Sequence, residues 1–237
     1  MGKGEFEPDI LAFLKSKFKT RNKLFVDIGA HHGYFTCFAN ASGVRQVVSI
    51  EPDKINYRFL EKNVVSNKYK SKTNLINLAL GEHEGTVNLF GFGTGVSTSQ
   101  NWGGSVSKRV QSVKVAKLDK VIKEYLPLKN AIVKIDVEGY EYEVIKGAEI
   151  TISTAKDTSF IVEITLTEGQ KIGKDVKASK NISEIIDLFM KHGYKIYGFN
   201  QNKREPSELS KSEIESLKFD LQKFNSSNYL FEIPVSK

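Results

Sequence analysis

Apolar and polar residues along the chain alternate in two rhythms, one typical of strands and the other typical of amphipathic helices. Seven short apolar runs predict strands, at 23–28, 46–50, 75–80, 131–137, 160–165, 194–199 and 229–233. Segments with apolar residues at helical spacing separate most of these runs. Strands that alternate with helices indicate an α/β fold. We therefore predict a mostly parallel seven-stranded sheet with helices on both faces and right-handed crossovers.

Three segments depart from this alternation. Residues 1–20 are predicted to contain an N-terminal helix, because apolar side chains recur there at helical spacing. Residues 84–117 are predicted to form a β-hairpin insertion, whose long loop, rich in Gly, Ser and Thr, could cover a ligand. Residues 200–237 are predicted to close the sheet with a last strand. The length suffices for a large core, and we predict a single domain over residues 1–237.

The charge of the chain only partly narrows the functional classes. A formal net charge of +7 invites a nucleic-acid partner. The basic residues, however, are almost all lysines scattered along the chain, as on a solvated surface. Recognition of base edges or phosphates favours arginine. We therefore expect no nucleic-acid partner, although the charge does not exclude one.

Cysteine content and hydropathy indicate the cellular setting. Cys37 is the sole cysteine of the sequence, so an internal disulfide is excluded. No run approaches the roughly 20 apolar residues that span a bilayer. The first residues also lack an apolar signal core. We expect a cytoplasmic protein without a transmembrane segment, and the sequence carries no indication of its oligomeric state.

The first apolar run ends at Asp27 and leads into a glycine turn that opens a predicted helix. In parallel α/β sheets, such a junction is the usual place for a cofactor. The dinucleotide fingerprint G-x-G-x-x-G would begin at Gly29, but His31 stands at its middle glycine and Tyr34 at its third. The middle glycine lets the backbone approach a pyrophosphate, so the turn favours a ligand without phosphates, such as S-adenosylmethionine. An ordinary tight turn of a sheet protein remains the alternative.

Glu51 ends the second apolar run, 24 positions after Asp27. An acidic residue at the end of the second strand, about 20 residues beyond the glycine turn, is placed to accept the ribose hydroxyls of an adenosine. Asp27 and Glu51 together therefore favour a ligand that contains a nucleoside. The alternative is that both acids only cap or solvate the ends of their strands.

Charged residues interrupt the fourth apolar run, although a central parallel strand should be apolar on both faces. Lys134, Asp136 and Glu138 alternate with apolar residues, so their side chains share one face if the chain stays extended. Glu163 lies within the next apolar run. Buried charges are costly unless they are paired. We predict a buried pair of Lys134 and Glu163 on neighbouring strands, either as a structural salt bridge or as part of a catalytic site.

Six sequence blocks carry a family resemblance. They are Val26-Asp27-Ile28-Gly29-Ala30, Glu51-Pro52-Asp53, Asn77-Leu78-Ala79-Leu80-Gly81, Leu118-Asp119, Lys134-Ile135-Asp136-Val137-Glu138-Gly139-Tyr140-Glu141 and Val144-Ile145-Lys146-Gly147-Ala148. Over roughly residues 25–164, and again at Phe189 to Tyr197, the chain resembles the FkbM family of methyltransferases. The resemblance implies a Rossmann-like class I methyltransferase fold and S-adenosylmethionine as the cofactor. It also implies methylation of a hydroxyl on a sugar or a small-molecule natural product.

The resemblance further implies which residues form the site. The implied cofactor contacts lie at the ends of the strands, and they are Asp27, Gly29, Ala30, His31, Gly33, Tyr34, Glu51, Asp53, Ala79, Leu80 and Asp136. Within this set, the glycine turn would hold the methionyl part, Glu51 the ribose, and Asp136 would stand near the methyl group. The family commonly has Asn at the position of His31. A hydroxyl acceptor also needs a base for its proton, and the candidate catalytic residues are Lys134, Asp136, Glu138, Glu163 and His32.

We predict an S-adenosylmethionine-dependent O-methyltransferase whose partner is an acceptor hydroxyl on a sugar, glycan or small-molecule natural product. Two alternatives remain, an RNA ribose 2′-O-methyltransferase and a non-catalytic scaffold that keeps the fold. A nicotinamide oxidoreductase is disfavoured by the missing middle glycine. We predict no metal site, because the adjacent His31 and His32 are poorly spaced as ligands, although a site shared with Asp136 remains an alternative.

Overall fold

The computed structural model describes residues 7–91, 110–164, 176–199, 205–219 and 227–234. The strands of these residues are β1 (Leu24–Ile28), β2 (Gln46–Ile50), β3 (Thr73–Ile76), β4 (Ala79–Leu80), β5 (Gly85–Phe90), β6 (Val110–Ala116), β7 (Lys129–Ile135), β8 (Lys156–Glu163), β9 (Lys195–Gly198), β10 (Ser207–Glu208) and β11 (Asn228–Glu232). The α-helices are α1 (Pro8–Lys17), α2 (Tyr34–Ala41), α3 (Lys54–Ser66), α4 (Leu118–Val121), α5 (Glu141–Lys146), α6 (Glu149–Thr154), α7 (Val176–Lys191) and α8 (Lys211–Phe219).

The main sheet has eight strands in the order β10-β9-β11-β8-β7-β1-β2-β3. Its central strands β8, β7, β1, β2 and β3 pair in parallel, whereas β11 is antiparallel to both β8 and β9. The strand order reverses beside β1, which places the carboxyl ends of β1, β2 and β7 at one edge of the sheet. The predicted α/β fold with a mostly parallel sheet is confirmed, but the sheet has eight strands rather than the predicted seven, because the short strand β10 adds to its edge.

Helices cover both faces of the main sheet because its central strands are apolar on both sides. In β1, Leu24, Val26 and Ile28 belong to one buried cluster, whereas Phe25 belongs to the cluster on the opposite face. The first cluster also contains apolar residues of α5, α6 and α7, and the second contains those of α1 and α2. The sequence of such a strand is an almost continuous run of apolar residues, and this is the pattern that predicted it.

The third predicted strand, at 75–80, is divided between two sheets. β3 ends at Ile76 in the main sheet, and β4 begins at Ala79 in a second sheet of order β4-β6-β5. Between them, Asn77 Nδ2 donates hydrogen bonds to the carbonyl oxygens of Glu51 at 2.8 Å and Pro52 at 3.0 Å. These bonds turn the chain out of the main sheet at a position that apolar patterning does not mark.

The second sheet contains the strands of the predicted hairpin insertion. β5 and β6 pair antiparallel, from Gly85 opposite Val115 to Phe90 opposite Val110. The middle of the insertion, residues 92–109, lies outside the described residues, as does most of the loop proposed to cover a ligand. The described part brings Leu89 and Ala79 into one small apolar cluster beside the main sheet.

Two further differences concern the ends of the chain. The segment 200–237, predicted to add one last strand, also contains the two-residue edge strand β10, which pairs antiparallel with β9. At the other end, the predicted N-terminal helix is confirmed as α1, and Lys17 forms an ion pair with Glu232 of β11 at 2.9 Å. Among the described residues, none of the helices combines the length and apolar character that crossing a bilayer requires.

Asp119, in the first turn of α4, stabilises a helix that is distant in sequence. Its carboxylate accepts hydrogen bonds from the backbone N–H groups of Ile150 at 2.9 Å and Thr151 at 2.7 Å, and from the Thr151 hydroxyl at 2.6 Å. These N–H groups lie in the first turn of α6, where a helix has no backbone acceptors of its own. Asp119 therefore acts as a cap supplied from outside the helix.

Replacing Asp119 tests this cap. We expect Asp119→Ala to lower the free energy of unfolding by about 1–2 kcal/mol, as the loss of a helix cap does. The measurement is urea denaturation followed by circular dichroism. Glu149→Gln is the matched control, because this exposed acid lies in the same helix turn and should change stability by less than about 0.5 kcal/mol. An unchanged midpoint for Asp119→Ala would contradict the assignment.

Candidate active site

The turn after β1 forms the base of a crevice at the carboxyl edge of the sheet. Gly29 and Gly33 have positive φ angles of 80° and 85°, and His31 has one of 50°. A Cβ atom on Gly29 would lie 1.7 Å from the carbonyl oxygen of Asp136. Glycine is therefore required there both by its backbone conformation and by the close approach of the chain that follows β7.

Glu51 lies at the end of β2 and lines the crevice with only 5% of its surface exposed. Its Oε2 accepts a hydrogen bond from the His31 N–H at 2.9 Å, and its Oε1 accepts one from the Asp53 N–H at 2.8 Å. Burial raises the pKa of Glu51 to about 7, against the lowering effect of these two N–H groups. Each carboxylate oxygen has a second lone pair, so Glu51 can accept further hydrogen bonds from a ligand.

Two other acids predicted to contact the cofactor lie behind the crevice lining. Asp53 caps α3, because its Oδ1 accepts hydrogen bonds from the N–H groups of Ile55 and Asn56, both at 2.9 Å. Asp27 is buried below the turn and accepts a hydrogen bond from the Thr36 hydroxyl at 2.6 Å. Burial raises the pKa of Asp27 to about 6. Both acids thus support the walls of the crevice from behind.

The open crevice has an empty volume of about 1050 Å³. Most of the predicted site residues line it, namely Gly29, Ala30, His31, His32, Tyr34, Glu51, Ala79, Leu80, Asp136 and Glu138. Gly33, Asp27, Asp53, Lys134 and Glu163 are outside this lining. The lining residues that sequence reasoning missed include Phe35, Pro52, Asn56, Leu78, Leu89, Val137 and Tyr140. Of these, Pro52, Leu78, Val137 and Tyr140 lie inside the family blocks, but Leu89 comes from the insertion and has no sequence signal.

Lys134 is buried below the crevice and bonded to Asp136. Its Nζ lies 2.7 Å from Asp136 Oδ2 and 4.5 Å from the centre of the Phe35 ring. Burial alone would lower the pKa of Lys134, but the carboxylates of Asp136 and Glu7 outweigh burial and raise it. Burial alone would likewise raise the pKa of Asp136, whereas the Lys134 ammonium holds it below its usual value.

The predicted direct pair of Lys134 and Glu163 is wrong, because the salt bridge of Lys134 is made with Asp136. The sheet register explains the difference. Lys134 lies opposite Ile161 of β8, so Glu163 is two residues farther along that strand. Glu163 instead accepts a hydrogen bond from the Ser227 hydroxyl at 2.8 Å. Burial and the nearby Asp136 carboxylate raise the pKa of Glu163 to about 8.

Glu7, at the start of α1, adds a third carboxylate that sequence reasoning did not identify. Ligand oxygens of Glu7, Asp136 and Glu163 all lie within 4.8 Å of one another. Burial raises the pKa of Glu7. A divalent cation could bridge oxygens at this spacing, while Lys134 already places a positive charge against Asp136. No pattern in the sequence joins Glu7 to residues more than 120 positions away.

The chain leaves its extended path directly after β7. Glu138 and Gly139 have positive φ angles of 53° and 92°, so Glu138 does not continue the strand face that carries Lys134. Burial raises the pKa of Glu138 to about 7, and the Asp136 carboxylate acts in the same direction. The next acid, Glu141, is buried and accepts a hydrogen bond from the Gly139 N–H at 2.9 Å. Burial raises the pKa of Glu141 to about 8.

The two adjacent histidines form part of the crevice rim. Their rings stack with centres 3.9 Å apart, and the His32 ring also lies 4.9 Å from that of Phe59 on α3. Asn63 Nδ2 donates a hydrogen bond to the His32 carbonyl oxygen at 2.8 Å. The stack therefore joins the glycine turn to α3 and fixes the position of His32 beside the crevice.

Comparison with known proteins places this geometry in context. The sequence matches the family model described as the Methyltransferase FkbM domain over residues 27–196. No protein with a curated description matches the chain in sequence. The structure is similar to that of a methyltransferase FkbM from Methylobacillus flagellatus KT, at 17% identity and a TM-score of 0.51, with 89% of this chain covered. This chain covers 43% of that protein, which is less than half of its length.

A second similar structure is an O-methyltransferase from Bacillus cereus in complex with SAH. The identity is 10% and the TM-score 0.51, and the match covers 97% of this chain and 82% of that one. At these identities the likeness to solved structures shows the fold. The Rossmann-like class I methyltransferase fold implied by the sequence blocks is thus confirmed.

Replacing Lys134 tests the charge balance below the crevice. We expect Lys134→Met to lower the free energy of unfolding by about 3–5 kcal/mol at pH 8, because buried carboxylates lose their counterion. The loss should be smaller at pH 5.5. Without the ammonium, the carboxyl groups titrate at higher pH in the folded protein, so they become neutral as the pH falls.

Urea denaturation at the two pH values provides the measurement. Lys129→Met is the matched control, because Lys129 begins the same strand but is exposed, and its loss should cost less than about 0.5 kcal/mol. Equal losses for Lys134→Met at pH 5.5 and pH 8 would show that these carboxylates do not depend on Lys134.

Proposed function

Because the chain belongs to the FkbM methyltransferase family, we propose that it transfers a methyl group from S-adenosylmethionine to an acceptor hydroxyl on a sugar, glycan or small-molecule natural product. The observation that carries this proposal is the pairing of two features in one crevice. Glu51 presents a buried carboxylate at the end of β2, and Asp136 presents a partly buried carboxylate at the end of β7. The two acids flank the glycine turn.

The hydrogen-bond acceptors and apolar side chains of the crevice fit this cofactor. S-adenosylmethionine, when bound, supplies an electrophilic methyl group on a positively charged sulfonium. Glu51 would accept hydrogen bonds from the ribose hydroxyls. The apolar side chains beside it would contact the adenine, and these are Leu78, Ala79, Leu80, Leu89 and Tyr140. Ala30 and His31 would hold the methionyl part, and the Asp136 and Glu138 carboxylates would favour a cationic ligand over an anionic one.

The backbone of the glycine turn supports a cofactor without phosphates. The N–H groups of Gly29 and Ala30 donate to the carbonyl oxygen of Ile50 at 2.9 Å and 3.0 Å. The next N–H group, that of His31, donates to Glu51. Dinucleotide sites direct such N–H groups at a pyrophosphate. Here three successive groups donate within the protein, so a dinucleotide would lack its donors.

Carboxyl groups with raised pKa values support a hydroxyl acceptor. A base works best when its pKa lies near the working pH. The pKa of Glu138, which lines the crevice, is raised by burial to about 7, and that of Glu163 to about 8. We propose Glu138 as the base that takes the acceptor proton. Asp136, held ionised by Lys134, would orient the acceptor hydroxyl.

The charges of the crevice favour an uncharged acceptor over RNA. Glu138 and Asp136 lie on its lining, and Glu7 and Glu163 lie beside Asp136. This group of acids would repel the phosphates of a nucleic acid, because like charges in a poorly solvated site repel strongly. The net positive charge of the chain comes from scattered lysines. We therefore place the RNA ribose methyltransferase behind the sugar or small-molecule enzyme.

The cofactor assignment predicts a pH-dependent affinity. We expect calorimetry to detect S-adenosylmethionine binding. The affinity should fall as the pH drops below about 7, approaching tenfold per pH unit, because protonated Glu51 accepts ribose hydroxyls less well. Glu51→Gln should weaken binding roughly 10–100-fold, the effect of losing hydrogen bonds to a charged group, and should reduce the pH dependence.

Glu61→Gln is the control for the cofactor experiment, because Glu61 is an exposed acid on α3 and should leave the affinity unchanged. Thermal unfolding checks that each variant is folded. The absence of binding heat for the wild-type protein at pH 8 would contradict the cofactor assignment. A constant affinity between pH 8 and pH 5.5 would contradict the role of Glu51.

The assignment of the base predicts the effect of Glu138→Gln. We expect kcat to fall about 10²–10⁴-fold, the usual contribution of a general base, while the affinity for S-adenosylmethionine stays within about threefold. The wild-type rate should fall below a pH of about 7, and this limb should vanish in the variant. The measurement is transfer of a radiolabelled methyl group to a panel of neutral sugars, nucleotide sugars and an RNA oligonucleotide.

Glu143→Gln on α5 is the control for the base, because no part of the crevice lining includes Glu143. Full activity of Glu138→Gln with an unchanged pH profile would show that Glu138 is not the base. Methyl transfer to the RNA alone would contradict the proposed acceptor class.

A further inference from the structure

The loop that joins β7 to α5 spans the crevice from one glycine turn to another. At its start, the carbonyl oxygen of Asp136 presses on Gly29. At its end, the ring of Tyr140 lies against Gly81, where a Cβ atom would be 3.5 Å from Tyr140 Cε1. Between these two contacts, Val137 and Glu138 line the crevice. The path of this loop therefore sets the shape of the wall that faces a ligand.

The loop has a backbone conformation that its own sequence does not favour. Glu138 and Gly139 both lie in the left-handed region, with φ angles of 53° and 92°. A residue with a Cβ atom seldom adopts this conformation unless the surrounding structure imposes it. Something must therefore hold Glu138 in place, and the contacts at Gly29 and Gly81 act only at the two ends of the loop.

Glu141 supplies the missing anchor from within the loop. Its side chain is 3% exposed, and its Oε1 accepts the Gly139 N–H at 2.9 Å. The N–H groups of Val137 and of Glu141 itself also act on this carboxyl group, because they oppose the rise of its pKa on burial. The backbone of this short loop is thus tied to one buried carboxyl group through the Gly139 N–H. Glu141 does not line the crevice, so it acts on a ligand only through the loop.

We infer that Glu141 is a positioning residue for methyl transfer, whose carboxylate holds residues 137–140 in the conformation that directs Glu138 and Tyr140 into the crevice. The inference rests on the proposed function, because it assigns the loop a role in placing the base and the adenine contact. It adds a requirement that the crevice lining does not reveal. The buried acid behind the loop should matter as much as the groups that touch the ligand.

The test compares two variants with a matched control. Glu141→Ala removes the acceptor, whereas Glu141→Gln keeps one oxygen for the Gly139 N–H and turns the other acceptor into a donor. Glu143→Gln removes a negative charge from the same helix turn and leaves the hydrogen bond from the Gly139 N–H to Glu141 in place. The readouts are amide hydrogen exchange of residues 137–140, the dissociation constant of S-adenosylmethionine, and the separate values of kcat and KM.

We expect amide exchange in the loop of Glu141→Ala to be at least about tenfold faster, since the Gly139 N–H loses its acceptor. S-adenosylmethionine binding should weaken about tenfold and kcat should fall about 100-fold, the scale expected when a reacting group is displaced by about 1 Å. Glu141→Gln should recover part of each loss, and Glu143→Gln should stay within about twofold of wild type in every readout.

The outcomes separate this inference from the proposed function. If the wild type binds S-adenosylmethionine but Glu141→Ala matches it in exchange, affinity and kcat, the inference alone is overturned. If the wild type gives no binding heat, the proposed function fails, and the exchange data still decide whether Glu141 holds the loop. Should Glu141→Ala not fold, Glu141→Gln decides. Faster loop exchange with a lower kcat supports the inference, whereas wild-type values overturn it.

Discussion

The buried ammonium of Lys134 is the charge on which the carboxyl edge of the sheet depends. It lies in a central strand, bonded to Asp136 at 2.7 Å and next to Asp27 in the sheet register. Glu7 and Glu163 lie beside Asp136, with ligand oxygens of the three acids within 4.8 Å of one another. Carboxylates this close repel one another and lose hydration on burial, so they need a counterion. Because Lys134 provides it, the crevice can present an ionised Asp136 beside carboxyl groups with raised pKa values.

The walls of the crevice are linked to one another through backbone groups. The turn after β1 donates its N–H groups to Ile50 and Glu51, and the chain after β7 presses its carbonyl group on Gly29. Glu51 in turn accepts the N–H of Asp53, which caps α3. A displacement of the backbone in one wall should therefore displace the other walls. Because these donors are satisfied internally, the crevice offers carboxylates and apolar surface to a ligand, which suits a nucleoside better than a phosphate.

Much of the fold follows from local patterning, and the exceptions have identifiable causes. β1 is buried at every position and apolar at all but Asp27, because both faces of the strand are covered, and such a run is recognisable without a structure. The division of the third strand is not recognisable, because it depends on hydrogen bonds from Asn77 to a neighbouring strand end. The same holds for the external cap that Asp119 supplies to α6. These interactions join residues that are far apart in the sequence, and neither helical nor strand periodicity relates their positions.

The sequence by itself determined that Glu51 and Asp136 meet at one edge, because parallel strands with right-handed crossovers bring their carboxyl ends together. It also determined the position of the glycine turn after β1. Only the tertiary structure decided how the charges pair. The strand register places Lys134 opposite Ile161 rather than Glu163, and Lys134 forms its salt bridge with Asp136. The packing of α1 places Glu7 close to Asp136. The pairing of charges depends on differences of a few ångströms between residues that are far apart in the sequence. The positions of the strand ends, by contrast, follow from the topology of the sheet alone.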